Sequence, residues 1–263
     1  MPIISNDPNH VAELYVQQNT LDARIALHQK YSTNPYGWNR WVFDQIQLAP
    51  GMKVLELGCG TGALWSAHRA QVPIDASILL TDFSERMLDA AKAALDDDNR
   101  FTFAQMDIQS IPHPDASFDT VIANHMLYHV PDIPKALSEV ARVLAPGGCF
   151  YASTLGMHSQ QELWALYRPF ADRAHFTYAK SSPFTLQNGA DQLAAHFAHV
   201  ELREYMDSLL VTEPPDLLDY IKSLQTIPES IAPEFDAHIR AAFAPAGSLH
   251  ITKEQGLFIC RTA

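Results

Sequence analysis

From residue 53 onward, short apolar runs alternate with amphipathic stretches. Period-two or continuous apolar runs of this length predict β-strands at 53–57, 78–81, 101–106, 118–123 and 149–154. The intervening stretches have helical periodicity and predict helices at 63–70, 84–95 and 133–144, the second with Ser84 as a natural N-cap. Strands that alternate with helices predict an α/β fold, in which helices cover both faces of a parallel sheet.

The segments around this core follow a different pattern. Residues 9–30 predict one amphipathic helix, and the aromatic-rich turn 31–41 leads into a second helix that ends at residue 48. The regions 157–195 and 214–246 interrupt the alternation with helical stretches and prolines. Insertions at the carboxyl edge of such a sheet commonly cover its ligand crevice, so both regions are assigned to the acceptor side.

Composition restricts the class of partner. Of the 263 residues 47% are hydrophobic and 18% are charged, which is typical of a globular chain with a real core. The formal net charge of -12 would repel phosphate backbones and acidic membranes. We therefore expect a small neutral or cationic ligand and no nucleic-acid or membrane partner, whereas the pattern does not indicate an oligomeric state.

The same sequence favours a soluble, cytoplasmic protein. The first residues show no secretory signal, and no run reaches the ~18 to 20 apolar residues of a membrane span. Cys59, Cys149 and Cys260 are widely spaced and form no CxxC pair. This spacing argues against a disulfide framework or a structural zinc site and indicates reduced cysteines.

The most informative motif is the glycine-rich turn after the first strand. Gly58, Gly60 and Gly62 let the backbone turn sharply and approach a ligand. The spacing also fits a GxGxxA dinucleotide site, and Asp82 lies where a ribose-binding acid is expected. Two cofactors therefore stay open, a nicotinamide dinucleotide and an adenosyl ligand without phosphates. Glu56 favours the second, because it would repel a pyrophosphate and attract a cation.

Five segments in the expected order carry a family resemblance. They are VLELGCGTG at 54–62, TDFSERML at 81–88, Met106 with Asp107, FDTVIANHMLYHVPD at 118–132 and EVARVLAPGGCFYAS at 139–153. Over roughly residues 50–155 the chain resembles the class I S-adenosylmethionine-dependent methyltransferases, in particular the methyltransferase-11-like group that acts on small molecules. The resemblance implies a Rossmann-like, doubly wound, seven-stranded sheet with helical lid insertions, whose last strand, at 251–260, is antiparallel.

The resemblance also implies three functional regions along the chain. Residues 1–49 would form a helical cap, 50–155 the S-adenosylmethionine-binding core, and 156–263 the rest of the fold with its two acceptor-side insertions. The residues that it assigns to the cofactor are Tyr31, Glu56, Gly58, Gly60, Asp82, Phe83, Met87, Met106, Asp107, Ile108, Asn124 and His125. Among them, Asp82 would accept from both ribose hydroxyls, Asp107 would receive the adenine amino group, and Glu56 would support the glycine turn.

His125 and His129 are the candidate catalytic residues. The resemblance places both beside the methyl group, and an imidazole can take a proton from an acceptor hydroxyl or amine. Two other interpretations stay open: ordinary packing histidines, or a metal pair on one helical face. No HExxH pattern or third ligand accompanies them, so we predict no metal site. His129 is the preferred base, although a sulfonium donor does not require one.

Aromatic residues mark the remaining candidates. Tyr31, Tyr36, Trp38 and Trp41 either pack a helix on the sheet or close over the cofactor, and Arg40 is either a surface cation or a partner of the cofactor carboxylate. In the first insertion, the candidates for lining an acceptor cavity are Trp164, Tyr167, Arg168, Phe170, His175, Phe176 and Tyr178.

The sequence thus predicts an enzyme that transfers the methyl group of S-adenosylmethionine to an oxygen, nitrogen or carbon of a small molecule. Asn124 begins no Asn-Pro-Pro-Tyr motif, which the resemblance would associate with planar nitrogens of nucleobases or glutamine. The alternatives are a nicotinamide-dependent oxidoreductase and a non-catalytic subunit that binds S-adenosylmethionine.

Overall fold

A computed structural model gives the structure of the protein. It describes residues 18–95, 97–174, 182–224, 226–244 and 246–262, apart from the side chains of 18–24 and 174. The beginning of the predicted first helix, 9–17, lies outside the described residues. The same is true of three predicted acceptor-side residues, His175, Phe176 and Tyr178.

The described strands form one seven-stranded sheet. They are β1 (Lys53–Leu57), β2 (Ser77–Asp82), β3 (Phe101–Gln105), β4 (Phe118–Asn124), β5 (Leu144–Leu155), β6 (His199–Val211) and β7 (Leu249–Arg261). Their order across the sheet is β3-β2-β1-β4-β5-β7-β6. The predicted doubly wound, seven-stranded architecture is confirmed.

The centre of the sheet is parallel. β1 pairs with β2 and β4, β2 pairs with β3, and β4 pairs with β5, each in parallel. Val54 and Leu55 in β1 and Val121 in β4 are fully buried. A strand covered on both faces needs such continuous apolar residues, which is why these strands were readable from the sequence. Because the carboxyl ends of parallel strands share one edge, the loops after β1, β2 and β4 meet there.

The last strand is antiparallel, as the resemblance implied. The Gly156 N–H donates to the Glu254 carbonyl at 2.9 Å, and the Thr262 N–H donates to the Gly148 carbonyl at 3.5 Å. Residue numbers therefore rise along β5 as they fall along its neighbour β7, which is the register of an antiparallel pair.

β6 was not located from the sequence. Residues 199–203 alternate between polar and apolar, but the alternation breaks at Arg203-Glu204 and again at Tyr205-Met206. The strand lies at the end of the sheet order, and an edge strand tolerates charges that a central strand excludes. The period-two signal is consequently weak there.

Along the chain, the helices lie before and between the strands. They are α1 (Gln18–Tyr31), α2 (Trp38–Gln45), α3 (Ala63–Ser66), α4 (Glu85–Leu95), α5 (Ile133–Val143), α6 (Gln161–Tyr167), α7 (Ala171–Ala174), α8 (Gly189–Ala194), α9 (Pro214–Leu224) and α10 (Ala232–Phe243). Short 3-10 turns occur at Arg69–Gln71, Leu127–His129 and Arg168–Phe170. In the part of the chain that is described, no helix is both long and apolar enough to cross a membrane.

Three predicted boundaries are wrong. The helix predicted at 63–70 ends at Ser66. Just beyond its end, Nδ1 of His68 forms a hydrogen bond with the Leu64 carbonyl at 2.7 Å. The helix predicted to reach residue 48 ends at Gln45, because Ile46 has extended backbone angles. β5 begins at Leu144 rather than 149, because Leu144 pairs with Phe118 and Cys149 with Thr120, and the Pro-Gly-Gly segment of β5 lies at the register shift between these pairs.

The chain packs as two compact units. Unit 1 comprises Met1–Pro35, Gly156–Ser182 and Met206–Gln255, and unit 2 comprises Tyr36–Leu155, Pro183–Tyr205 and Gly256–Ala263. Each has its own apolar core. The core of unit 1 includes Leu163, Leu217, Ile221, Phe235 and Ile239, and that of unit 2 includes Val54, Trp65, Ile78, Leu80 and Ile122. The functional division at 49 and 155 stays a prediction.

Candidate active site

The glycine loop of unit 2 joins β1 to α3. Gly58, Gly60 and Gly62 have φ values of 71°, 56° and 70°, in the left-handed region that favours glycine. A Cβ atom on Gly58 would lie 2.9 Å from the Met126 side chain, whereas a Cβ on Gly60 would meet nothing within 4 Å. Gly58 is therefore required by packing, and Gly60 borders open space where a ligand can approach the backbone.

Asp82, at the end of β2, holds this loop in place. One carboxylate oxygen accepts from the Gly60 N–H at 2.9 Å, and the other accepts from the Ser84 N–H at 2.8 Å. Burial raises the pKa of Asp82, and hydrogen bonds from the backbone of Ser84, Gly60 and Phe83 oppose that rise. Each oxygen keeps a second lone pair for another donor. The sequence did not reveal this bond between Asp82 and the loop.

Glu56 is a buried carboxyl group beneath the loop. Its side chain is 2% exposed, and the Trp65 indole N–H donates to its Oε2 at 2.6 Å. The pKa of Glu56 is raised to about 7, mainly by burial; the Trp65 hydrogen bond opposes this rise and the Asp82 charge adds to it. Glu56 therefore changes charge near neutral pH, beside a turn with space for a ligand.

Asp107 lies after β3 and is oriented by Gln109. The Gln109 backbone N–H donates to Oδ1 of Asp107 at 2.8 Å, and its side-chain amide contacts the same oxygen at 3.1 Å. Gln109 is a site residue that the sequence analysis missed. The only signal was its position two residues after a predicted ligand.

The apolar residues that the resemblance assigns to the cofactor differ in exposure. Met87, Met106 and Ile108 are buried, whereas Phe83 is 50% exposed. The Gln105 amide donates to the Phe83 carbonyl at 2.8 Å and anchors its backbone. Phe83 thus presents an apolar ring to solvent directly after Asp82.

The segment after β4 is anchored from β5. The Ser153 hydroxyl donates to Oδ1 of Asn124 in a short hydrogen bond and accepts from the His125 N–H at 2.9 Å. His125 has a φ of 54°, which is unusual for a residue with a side chain. Ser153 therefore fixes both predicted residues, and it too was not identified from the sequence.

Aromatic rings surround His125. Its ring lies 4.8 Å from the Trp38 ring, which in turn lies 5.4 Å from both Trp41 and Tyr205. Of the polar atoms in this cluster, Nε1 of Trp38 is buried and has no hydrogen-bond partner among the described residues. The cluster forms an aromatic wall beside the segment that follows β4.

His129 ends the 3-10 turn Leu127–His129, and its ring packs edge-to-face on Tyr128 at 4.6 Å. The idea that His125 and His129 share a helical face is wrong, because His125 precedes this turn in a left-handed conformation. Within the described ranges, no group of three or more His, Cys, Asp or Glu side chains could hold a metal ion.

Several predicted residues have other contacts. In unit 1, the Tyr31 hydroxyl donates to Oδ2 of Asp216 at 2.6 Å. In unit 2, the Tyr36 hydroxyl donates to Asp44 at 2.6 Å, and Arg40 lies 3.8 Å from the same carboxylate. A cofactor contact by Tyr31 stays a prediction, as do the other assigned cofactor and catalytic roles.

The comparisons with known proteins match the central part of the chain. A methyltransferase domain family matches residues 55–152. Demethylmenaquinone methyltransferase of Symbiobacterium thermophilum is 36% identical over 116 residues, or 43% of this chain and 46% of that protein. The enzyme of the same name from Lactobacillus johnsonii is 35% identical over 137 residues, or 49% and 56%. The chain thus spans about half the length of these curated relatives.

Solved structures share the fold over more of the chain. The YcgJ protein from Bacillus subtilis has a TM-score of 0.59 at 18% identity, covering 85% of this chain and 97% of that one. The 4+2 cyclase SpnF has a TM-score of 0.59 at 17% identity, covering 97% and 96%. Phosphoethanolamine N-methyltransferase 2 of Haemonchus contortus, in complex with S-adenosyl-L-methionine, has a TM-score of 0.58 at 16% identity, covering 93% and 57%.

At such identities the structural likeness shows the fold, and the sequence matches identify the central domain. The glycine loop, Glu56, Asp82 and Asp107 all lie within the matched residues 55–152. These comparisons do not favour a nicotinamide-dependent oxidoreductase. Residues 55–152 thus form a methyltransferase domain, and S-adenosylmethionine is the cofactor of that domain.

Proposed function

We propose that the protein transfers the methyl group of S-adenosylmethionine to a small-molecule acceptor. The observation that carries this proposal is the loop at residues 58–62 with Glu56 and Asp82 bonded around it, inside the segment that matches methyltransferases. The relatives match only part of the chain, and one structural neighbour is named as a cyclase, so the fold alone does not specify the reaction.

The donor set fits the proposed cofactor. S-adenosylmethionine supplies a methyl group that is already activated on a positively charged sulfur. Asp82 keeps acceptor capacity on both oxygens for the ribose hydroxyls, and the exposed ring of Phe83 suits a planar base. The carboxylate form of Glu56 supplies a negative charge that favours a cationic ligand. The space beside Gly60 lets a ligand lie against the backbone.

We propose a role for the aromatic wall as well. The Trp38 ring lies beside His125 and is backed by Trp41 and Tyr205, and such rings hold a flat, largely apolar molecule through stacking and edge contacts. His125 and His129 would then accept a proton from the acceptor where the reaction releases one. Orientation of the acceptor for in-line transfer supplies much of the remaining rate acceleration.

The proposal specifies the methyl acceptor as a small molecule. Two relatives are named for demethylmenaquinone, which makes carbon methylation of a ring the first reaction to test. The aromatic wall, however, includes Trp38, Trp41 and Tyr205, which lie outside the matched residues 55–152.

The free cysteines Cys59, Cys149 and Cys260 support the proposed cytoplasmic location.

Calorimetric titration tests the cofactor. S-adenosylhomocysteine should bind, whereas NAD and NADP should not. Asp82→Ala should weaken this binding at least tenfold, since a hydrogen bond to a charged group contributes ~1.5 to 3 kcal/mol. Asp119→Ala is the matched control, because Asp119 accepts the Lys53 N–H at the opposite end of β1. Unchanged affinity for S-adenosylhomocysteine in a folded Asp82→Ala protein would contradict the proposal that Asp82 binds the ribose hydroxyls.

A transfer assay then separates an enzyme from a non-catalytic binding subunit. The purified protein is incubated with S-adenosylmethionine and candidate small molecules, and S-adenosylhomocysteine is measured. Product formation without any partner protein supports the proposal. Tight cofactor binding with no turnover on any acceptor in a broad panel would favour the binding subunit instead.

A further inference from the structure

Unit 1 holds a residue whose backbone and side chain are both unusual. Gln160, which precedes α6, has φ 60° and ψ 28°, the left-handed conformation that is unfavourable for a residue with a Cβ. Its N–H donates to the Thr252 carbonyl at 2.7 Å, and its carbonyl accepts from the Leu163 N–H at 3.1 Å. These two hydrogen bonds hold the strained conformation in place.

The Gln160 side chain is turned inward. The residue is 5% exposed, and its amide nitrogen donates to the Tyr220 hydroxyl at 2.7 Å. In the structure the nitrogen end of the amide faces Tyr220. The other end, Oε1, is buried and has no hydrogen-bond partner among the described residues. A buried acceptor left without a donor is unfavourable, so such atoms usually indicate a ligand or an ordered water.

A second buried atom of this kind lies at the same tyrosine. The His28 ring contacts the Tyr220 ring edge-to-face, with centroids 5.7 Å apart. Its Nδ1 is buried and has no partner among the described residues. Burial, followed by the Lys253 charge, lowers the pKa of His28 to about 4, while Asp207 opposes this shift. His28 is therefore neutral at physiological pH.

The charges near this cluster cancel each other. Lys253 forms a short ion pair with Asp207, and their side chains are 9% and 1% exposed. Ser32 also donates to Asp207, at 2.8 Å. A charged ligand would find no unpaired counter-ion here, and burying an uncompensated charge is costly.

We propose that Gln160, Tyr220 and His28 form a binding site for an uncharged small molecule that carries a hydroxyl group. Oε1 of Gln160 only accepts, so the ligand must donate. A hydroxyl does so and also bonds to a neutral imidazole nitrogen in either tautomer. The core residues Leu163, Leu217 and Ile221 of the same cluster suit an apolar body on that molecule. This site lies wholly in unit 1 and does not depend on the proposed methyl transfer.

The test uses three probes of similar size on the intact protein at pH 7, with binding followed by ligand-observed NMR. Phenol should bind saturably, while toluene, which lacks the hydroxyl, and benzoate, which is charged, should bind at least tenfold more weakly. In Gln160→Met, which keeps the side-chain length but loses Oε1, the preference for phenol over toluene should fall at least tenfold. Gln192→Met, which changes a glutamine of unit 2, is the matched control and should keep that preference.

A second variant covers the case in which Gln160→Met does not fold. Tyr220→Phe keeps the ring but removes the hydroxyl that orients the Gln160 amide, so it should also reduce the preference for phenol. Equal binding of phenol and toluene by the wild type would overturn the proposal, as would a preference that survives in every folded variant. The absence of saturable phenol binding would mean that the two buried atoms hold only water, and this outcome also refutes the site.

Discussion

At the scale of single residues, buried polar groups define this protein more sharply than its exposed charges. Glu56, Asp82 and Gln160 each lack full solvation, and each is held by a partner distant in the sequence. Buried groups respond strongly to their surroundings because the interior screens charge poorly. The experiments that separate structural from functional roles therefore begin with these side chains.

Glu56 predicts a pH dependence of stability. Its pKa is about 7 in the folded protein, above the value of 4.5 expected for an unfolded chain. The folded state therefore binds the proton more tightly, and the free energy of unfolding should fall as pH rises from about 4.5 to 7, by up to ~3 kcal/mol at ~1.4 kcal/mol per pKa unit. Below that range both states are protonated, and the penalty disappears.

Urea unfolding of the wild type and Glu56→Gln between pH 5 and 8 measures this effect. The glutamine variant does not ionise, so its stability should decline less over the same interval. Parallel curves for the two proteins would show that Glu56 titrates normally and that the pH dependence arises elsewhere.

His129 predicts a loss of turnover without a loss of cofactor affinity. If its imidazole takes a proton from the acceptor, His129→Gln should lower kcat ~10²-fold, while the Kd for S-adenosylhomocysteine changes little. His199→Gln changes an exposed histidine of β6 and provides the control. A nearly normal kcat for His129→Gln would contradict the role of His129 as a general base and would indicate that it is a packing residue.

At the scale of elements, the turn from β1 into α3 is shaped by the neighbouring β4 loop and α4. Gly58 lies against Met126, and a Cβ on Gly62 would lie 3.1 Å from Leu95 in α4. The local glycine pattern predicted the turn, but its packing requirements come from elements that follow much later in the chain.

Alanine substitutions in this turn should separate packing from ligand approach. Gly58→Ala and Gly60→Ala both carry the cost of a positive φ, ~1 kcal/mol or more. Gly58→Ala should lose a further ~1 to 3 kcal/mol, because its Cβ would lie 2.9 Å from Met126. Urea unfolding without ligand gives both values. Equal destabilisation of the two variants would contradict the tight packing at Gly58.

At the scale of the whole molecule, the excess of acidic residues sets the general choice of partner. The chain contains 18 Lys and Arg residues against 30 Asp and Glu residues, for a formal net charge of -12. Such a charge repels polyanions that approach to within about a Debye length of the protein.

We accordingly expect no binding to nucleic acid. A mobility-shift assay with duplex DNA and with single-stranded RNA in ~50 mM salt should show no retardation, since low salt maximises any phosphate attraction. A basic protein of similar size serves as the positive control. Saturable retardation that weakens as salt rises would reveal a segregated basic surface and reverse this expectation.

Much of the core fold was determined by the sequence alone. Strands buried on both faces must be apolar, so β1, β2 and β4 were readable as short runs. The glycine turn, which follows β1 directly, and the acids Glu56 in β1 and Asp82 at the end of β2 were equally local features. The family resemblance, rather than the local pattern, located the antiparallel β7.

Only the tertiary structure decided which residues meet. The Asp82 bond to Gly60, the Ser153 bonds to Asn124 and His125, and the Gln160 bond to Tyr220 all join segments separated by many residues. No periodicity encodes such pairings, since a local pattern reports only which face of an element is buried. For the same reason the edge strand β6 escaped prediction. Its charges are tolerated because of its place in the sheet, which the sequence around it does not specify.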